Sequence, residues 1–173
     1  IFEQNYGSWP GGGGGMDIRS LAGNESFILI DSCLFLNNKA NTSGALSINN
    51  TSDQLQIVVR NTRFEGNTAE LNGAVNVSNS GVNRVLFQRC SFIRNETYGA
   101  AVYKGRGGGL FALGCRVEEC LFHQNKAYNG GAVWMDDVQL YNNVFSNNSA
   151  LNQGGAFYSM SLWERVGNTV LGN

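Results

Sequence analysis

The stretch NKAYNGGAVWM (125–135) joins an Asn to a Gly-Gly-Ala step and an apolar run, and the chain repeats that layout. NTAELNGAVNV (67–77) and NSALNQGGAFYS (148–159) are near-copies, and NKANTSGALSI (38–48) follows more loosely. At the head of each copy stands a Phe followed three residues later by Asn. The series reads FEQN (2–5), FLNN (35–38), FEGN (64–67), FIRN (92–95), FHQN (122–125) and FSNN (145–148), with a degenerate VLGN (170–173). Successive spacings are 33, 29, 28, 30, 23 and 25 residues. The flanks keep their length better: Leu110 to Phe122 and Val133 to Phe145 are both 12 residues. The variation sits in NNTSDQ (49–54), SNSGVNR (78–84) and ETYGAAVYKGR (96–106). Repeats of this size mean a solenoid, a propeller or an array.

Local periodicity separates these. Seven residues before each Phe stand Ile28, Ile57, Val85, Cys115 and Val138, and five before it Ile30, Val59, Phe87, Val117 and Leu140. Two before it stand Cys33, Thr62, Cys90, Cys120, Asn143 and Asn168. After the glycines come Met16/Ile18, Leu46/Ile48, Val75/Val77, Leu110/Ala112 and Val133/Met135. Alternation over such short runs is strand periodicity, since successive strand side chains point to opposite faces. No window carries a helical stripe. Three short strands per repeat, broken by Gly and Asn, describe one rung of a parallel β-helix. The expected fold is all-β: a right-handed, single-stranded parallel β-solenoid of about six rungs, spaced ~4.8 Å apart. It runs as one domain over 1–173, uncapped at both ends, as a segment of a longer chain or a filament subunit. WD-type propellers compete weakly, because their blades are longer and carry four strands.

In that coil the motif residues have mechanical jobs. Phe stacks on Phe inside, where offset aromatic pairs add to area burial. The Asn of FxxN sits at a corner, bonding to the next rung's amide and to the turning backbone. The Gly-Gly or Asn-Gly step supplies positive φ, which residues with a Cβ resist. In FIRNETYGAAVYKGRGGGLF (92–111) either an early GAAV or a delayed GGGL can fill the step, and the delayed one keeps the 12-residue distance to Phe122.

The pairing of FxxN with GGA[ILV] resembles the repeat of the chlamydial polymorphic outer-membrane proteins and similar surface β-helix proteins. The resemblance runs through FLNNKANTSGAL, FEGNTAELNGAV, FHQNKAYNGGAV and FSNNSALNQGGAF. It implies a right-handed parallel β-helix displayed outside the cell as an adhesin or scaffold, and it identifies no ligand.

Composition fits that placement. Net charge is −1 and 14% of residues are charged, so there is no basic footprint for nucleic acid. No run of about 18 apolar residues exists to span a membrane. No secretory signal is visible, and the first residue is Ile. Asn-x-Ser/Thr occurs at Asn24, Asn41, Asn49, Asn50, Asn76, Asn95 and Asn147, against roughly three expected by chance in a chain this rich in Asn. Asn95 should be a ladder residue and stay bare. Asn76, between inward Val75 and Val77, points out, and Asn24, Asn49 and Asn50 fall in long loops where glycans fit. With Asn41 and Asn147 these are the candidate N-glycan sites. They favour a eukaryotic secreted glycoprotein over a bacterial passenger domain.

The four cysteines admit two readings. Cys90 and Cys120 share one column on neighbouring rungs, a separation compatible with a disulfide; alternatively all four are buried small hydrophobes. No spacing suits zinc, the one His is His123, and no cofactor is expected.

Many parallel β-helices cleave polysaccharides, using clustered carboxylates with Lys or Arg. Asp136-Asp137 is the one acidic pair of that sort, with Leu113 and Gly114 one rung earlier, and Glu118-Glu119 lie in a different corner. Outward aromatics such as Trp134 and Tyr141 could stack on sugar rings or simply pack under a loop. The expected function is a non-catalytic extracellular structural or adhesive solenoid that associates end to end with copies of itself. The alternative is a carbohydrate-binding or pectin-lyase-like β-helix module.

Overall fold

The computed structural model describes residues 1–8, 12–20, 26–50, 52, 54–79, 84–99, 104–161 and 165–173. Among these, every regular element is a β-strand and every strand pairing is parallel. No helix among them is long and apolar enough to cross a membrane.

The FxxN segments stack first. Phe2, Phe35, Phe64, Phe92, Phe122, Phe145 and Val170 pair in direct register along one seven-stranded sheet. The six phenylalanine rings stack nearly parallel, with centroids 4.5, 5.0, 5.0, 4.5 and 5.0 Å apart from Phe2 to Phe145. From Phe35 to Phe145 all five are fully buried. Burying each contributes roughly 1.5–3 kcal/mol, and each ring pair about 0.5–1.5 more. The aromatic column is therefore the axis of the core.

The post-glycine strands stack as expected too: Met16, Leu46, Val75, Leu110, Val133 and Phe157 share one register. Leu110 pairs with both Val75 and Val133, so the delayed GGGL is the true glycine step. The strands before Phe form a second face, aligning Ile30, Val59, Phe87, Val117 and Leu140. In the first three rungs these two faces are separate strands, as Leu46–Asn50 and Leu55–Arg60 are. In the fourth and fifth the faces fuse into single nine-residue strands, Leu110–Glu118 and Val133–Tyr141. Their bend falls at Gly114 and Asp137, both with positive φ.

The rung has one more strand than the three expected. After each ladder Asn runs a short strand, such as Lys39–Ala40, Thr68–Ala69 or Lys126–Asn129, and six of these form a sheet of their own. Each of those three puts one Ala inward, Ala40, Ala69 and Ala127, too little for any period to show.

Two corners of each rung are built alike. At the first, Asn5, Asn38, Asn67, Asn95, Asn125, Asn148 and Asn173 form an unbroken amide ladder. The backbone N–H and Nδ2 of each donate to Oδ1 of the next, as from Asn67 to Asn95 at 2.9 and 3.0 Å. Nδ2 also donates to the Phe carbonyl one rung back, as from Asn95 to Phe64 at 3.0 Å. At the second corner, the column two residues before each Phe acts as a row of acceptors. Cys33 N–H donates to Thr62 Oγ1, Cys90 N–H to Cys120 Sγ, Cys120 N–H to Asn143 Oδ1 and Asn143 N–H to Asn168 Oδ1. Before each ladder residue the chain turns left-handed, at Asn37, Arg94 and Gln124 in the first corner and Asn61, Arg89 and Glu119 in the second. That conformation costs a non-Gly residue about 1–2 kcal/mol, which the ladder bonds offset.

The glycine step divides its labour differently from expectation. Positive φ belongs to the first Gly where there are two, as at Gly130 (φ 65°). The second position is glycine for lack of room: a Cβ at Gly73 would sit 1.8 Å from the Gly108 carbonyl oxygen of the next rung.

Candidate functional site

With the interior occupied by ladders, chemistry is left to the outer faces. On the post-glycine face the outward column runs Asp17, Ser47, Asn76, Phe111, Trp134 and Tyr158. Its last three members are aromatic. Phe111 and Trp134 stack at 4.7 Å, and Trp134 and Tyr158 at 6.2 Å. Arg106 lies across them, its guanidinium 4.4 Å from the Phe111 ring centre and 5.3 Å from that of Trp134. Its backbone is held between rungs by bridges to Asn72 and Asn129. Beside this layer a groove of about 330 Å³ is lined by Arg106, Asn129, Trp134, Asn152, Gln153 and Tyr158. Asn152 Nδ2 donates to Asn129 Oδ1 at 2.8 Å, which fixes the two amides against each other.

Trp134 does face outward, as its position in the alternation requires, but stacking and Arg106 leave it only 7% exposed. Tyr141 lies on the other half of the same strand, beyond the bend at Asp137, with Arg116 4.6 Å over its ring. The two aromatics named from sequence thus belong to separate faces. Arg106 was not singled out. The delayed glycine step was the available signal, since it puts Arg106 in the place held by Asn72 and Asn129.

The carboxylates singled out from the sequence do not converge. Asp136 lies beside Leu113 of the neighbouring rung, and Asp137 occupies the bend, its N–H donating to Ser161 Oγ at 2.9 Å. Burial, then the adjacent Asp136, raises the pKa of Asp137 above the ordinary aspartate value. Glu118 pairs with Arg116. His123 sits in the outward column, its Nδ1 2.8 Å from Ser146 Oγ. Among the described residues no three His, Cys, Asp or Glu side chains group as a metal would require.

Coil, parallel ladders and glycine steps have a counterpart among known families. A family model for the right-handed β-helix region matches residues 12–173. The chain belongs to that family. Neither the curated proteins nor the solved structures gave a match. Membership establishes the hand of the coil and leaves its chemistry to the side chains.

In this β-helix Cys90 and Cys120 are thiols, as are Cys33 and Cys115. Of the two readings open from the sequence, the structure has the unbonded one, with no bond between Cys90 and Cys120. Each sulfur is engaged with backbone instead: Cys120 Sγ accepts the Cys90 N–H at 3.3 Å, and Cys90 Sγ bonds the Val59 carbonyl at 3.3 Å. Burial pushes the thiols of Cys115 and Cys120 well up, which keeps both protonated.

The sequons divide by position. Asn95 is a ladder residue, wholly buried, as expected. Asn50 is a correction: it is also wholly buried, its Nδ2 donating to the Leu55 carbonyl and its Oδ1 accepting from Ser52 N–H. Asn76 is a second: it points out, but is 8% exposed, and its Oδ1 takes a bond from Asn72. Asn49 and Asn147 are exposed, and Asn41 is half-buried with Nδ2 on the Ser8 carbonyl. Asn24 lies outside the described residues.

Proposed function

We propose that this β-helix is a non-catalytic extracellular solenoid: a length of stalk or filament whose stacked rungs set reach and stiffness and whose flanks serve adhesion. One observation carries the reading. From Asn5 to Asn173 each rung offers the next the same donors and acceptors that it takes from the one before, and from Phe2 to Phe145 the same ring faces. Such a surface extends by repetition, whether the added rungs come from one chain or from successive copies, and heterologous contacts of this kind grow fibres rather than closed oligomers. The FxxN/GGA pairing, like that of the polymorphic outer-membrane repeat, supports display at a cell surface. The exposed sequons Asn49 and Asn147 support passage through a secretory route.

Electron microscopy and fibre diffraction of native material test this. The expected result is straight rods with a meridional repeat near ~4.8 Å. Discrete compact particles that release fragments from an acidic polysaccharide would overturn it.

A second reading, carbohydrate binding on the flank, is favoured by the layer of Arg106, Phe111, Trp134 and Tyr158. It is compatible with the first, because a stalk can carry a recognition face.

A further inference from the structure

We infer that the groove beside Arg106 binds a saccharide bearing a single negative charge, a uronate or a sulfate ester, with Arg106 as the anion's partner. This rests on the carbohydrate reading of the flank and deepens it. Arg106 is a half-buried cation. The ion pairs among the described residues engage Arg19, Arg60, Arg63, Arg94, Lys104 and Arg116, and none engages Arg106. Its Nε is buried without a hydrogen-bond partner. A half-buried guanidinium with an unsatisfied Nε carries a desolvation cost, and a bound anion relieves it. The fork of a guanidinium suits a carboxylate or sulfate, which it can hold through two parallel bonds.

The rest of the groove decides the class of ligand. Among the described residues that line it, Arg106 is the one charged side chain. A phosphate dianion would lack a second cation, whereas a monoanion is matched. Asn129, Asn152 and Gln153 supply amides, which both donate and accept, as sugar hydroxyls require. Tyr158 is half-exposed at one wall, and a phenol ring gives an apolar face for the C–H side of a pyranose. Met160, 67% exposed, stands at the rim. A volume of about 330 Å³ is at the small end for ligand clefts, enough for a short saccharide rather than a long buried chain. Backbone bonds on both sides hold Arg106 in place before any ligand arrives, with its N–H on the Leu71 carbonyl at 2.8 Å and Gly107 N–H on Asn129.

The test is titration calorimetry with saturation-transfer NMR on the whole chain. The probes are methyl β-glucuronide, methyl β-glucoside, a glucosamine 6-sulfate glycoside and inorganic sulfate. The two anionic sugars should bind, the neutral glucoside should not, and added salt should weaken binding. Comparing the carboxylate and sulfate arms identifies which group is preferred. Arg106→Gln should weaken the preferred sugar about tenfold or more, as loss of a charged hydrogen-bond pair does. Tyr158→Ser should weaken it with the melting curve unchanged, and it carries the test if the Arg106 variant fails to fold. Equal binding of the glucoside would overturn the anionic assignment while leaving a sugar site. Binding of no sugar would overturn both. Inorganic sulfate competing as tightly as the sugars, or an unaffected, folded Arg106→Gln, would also overturn the proposal.

Discussion

A single asparagine at the first corner does three things at once. Asn95 donates Nδ2 to the Phe64 carbonyl and to Asn125 Oδ1, while its own Oδ1 receives two bonds from Asn67. Each group is buried, so removing one leaves its partners unsatisfied at about 1–3 kcal/mol apiece. The same bonding makes such an asparagine unavailable to a glycosyltransferase. Site-resolved mass spectrometry of native material should therefore find glycan on Asn49 or Asn147 and none on Asn50, Asn76 or Asn95. A modified Asn95 would break the ladder as described. On the outside, Asp31 shows how charge is used between rungs. Arg60, opposite it in register, bonds its carboxylate at 2.8 Å through Nη2. That bond, with one from Asn61, lowers the Asp31 pKa to about 2. Because the folded value lies below the ordinary 3.8, the stabilisation is present above that value and fades as pH falls through about 2. Carboxyl NMR titration should show this midpoint, and Arg60→Gln should return it toward 3.8.

At the scale of the element, the backbone decides what may stand at a rung's thinnest point. Gly73→Ala would push a methyl to 1.8 Å from the Gly108 oxygen, and the nearest atoms are all Gly107–Gly108 backbone, which has no flexible end to yield. We expect a loss of at least ~1–3 kcal/mol by thermal denaturation, the range for overpacking. Gly12→Ala is the control: its nearest neighbour would be Asp17 Oδ2 at 3.7 Å, an ordinary contact, so stability should barely change. An equal effect of the two would mean that rung spacing does not select glycine. The contrast also shows what could be read beforehand. Phe, Asn and Gly recur because each fits a stack position that few other side chains fit, so columns and register were legible from spacing alone. The acceptor corner was not, because Cys, Thr and Asn share a role without sharing hydropathy. The fourth strand was too short for a period. Arg106 sits in the most irregular repeat, between a variable loop and its glycines, where no aligned neighbour hints at a cation.

Over the whole molecule, each rung touches only those above and below, so stability is close to a sum of rung terms and interface terms. A defect then weakens its own two interfaces and leaves distant rungs alone. Phe92 is the place to make one. It stacks on Phe64 at 5.0 Å and Phe122 at 4.5 Å, and meets Phe87 at 6.0 Å. Phe92→Ala empties a space walled by three rings from neighbouring rungs, which local collapse cannot fill. The expected cost is ~3–5 kcal/mol, as for large core truncations. Phe27→Ala, on a ring 61% exposed on the outer face, should change stability by less than about 0.5 kcal/mol. Hydrogen exchange separates the stack from a globular core. In a stack, Phe92→Ala should lower protection in 63–65, 91–93 and 121–123 and spare the strands around Phe2 and Phe145. If protection falls evenly along the chain, the rungs unfold as one unit, and the additive account of this β-helix fails.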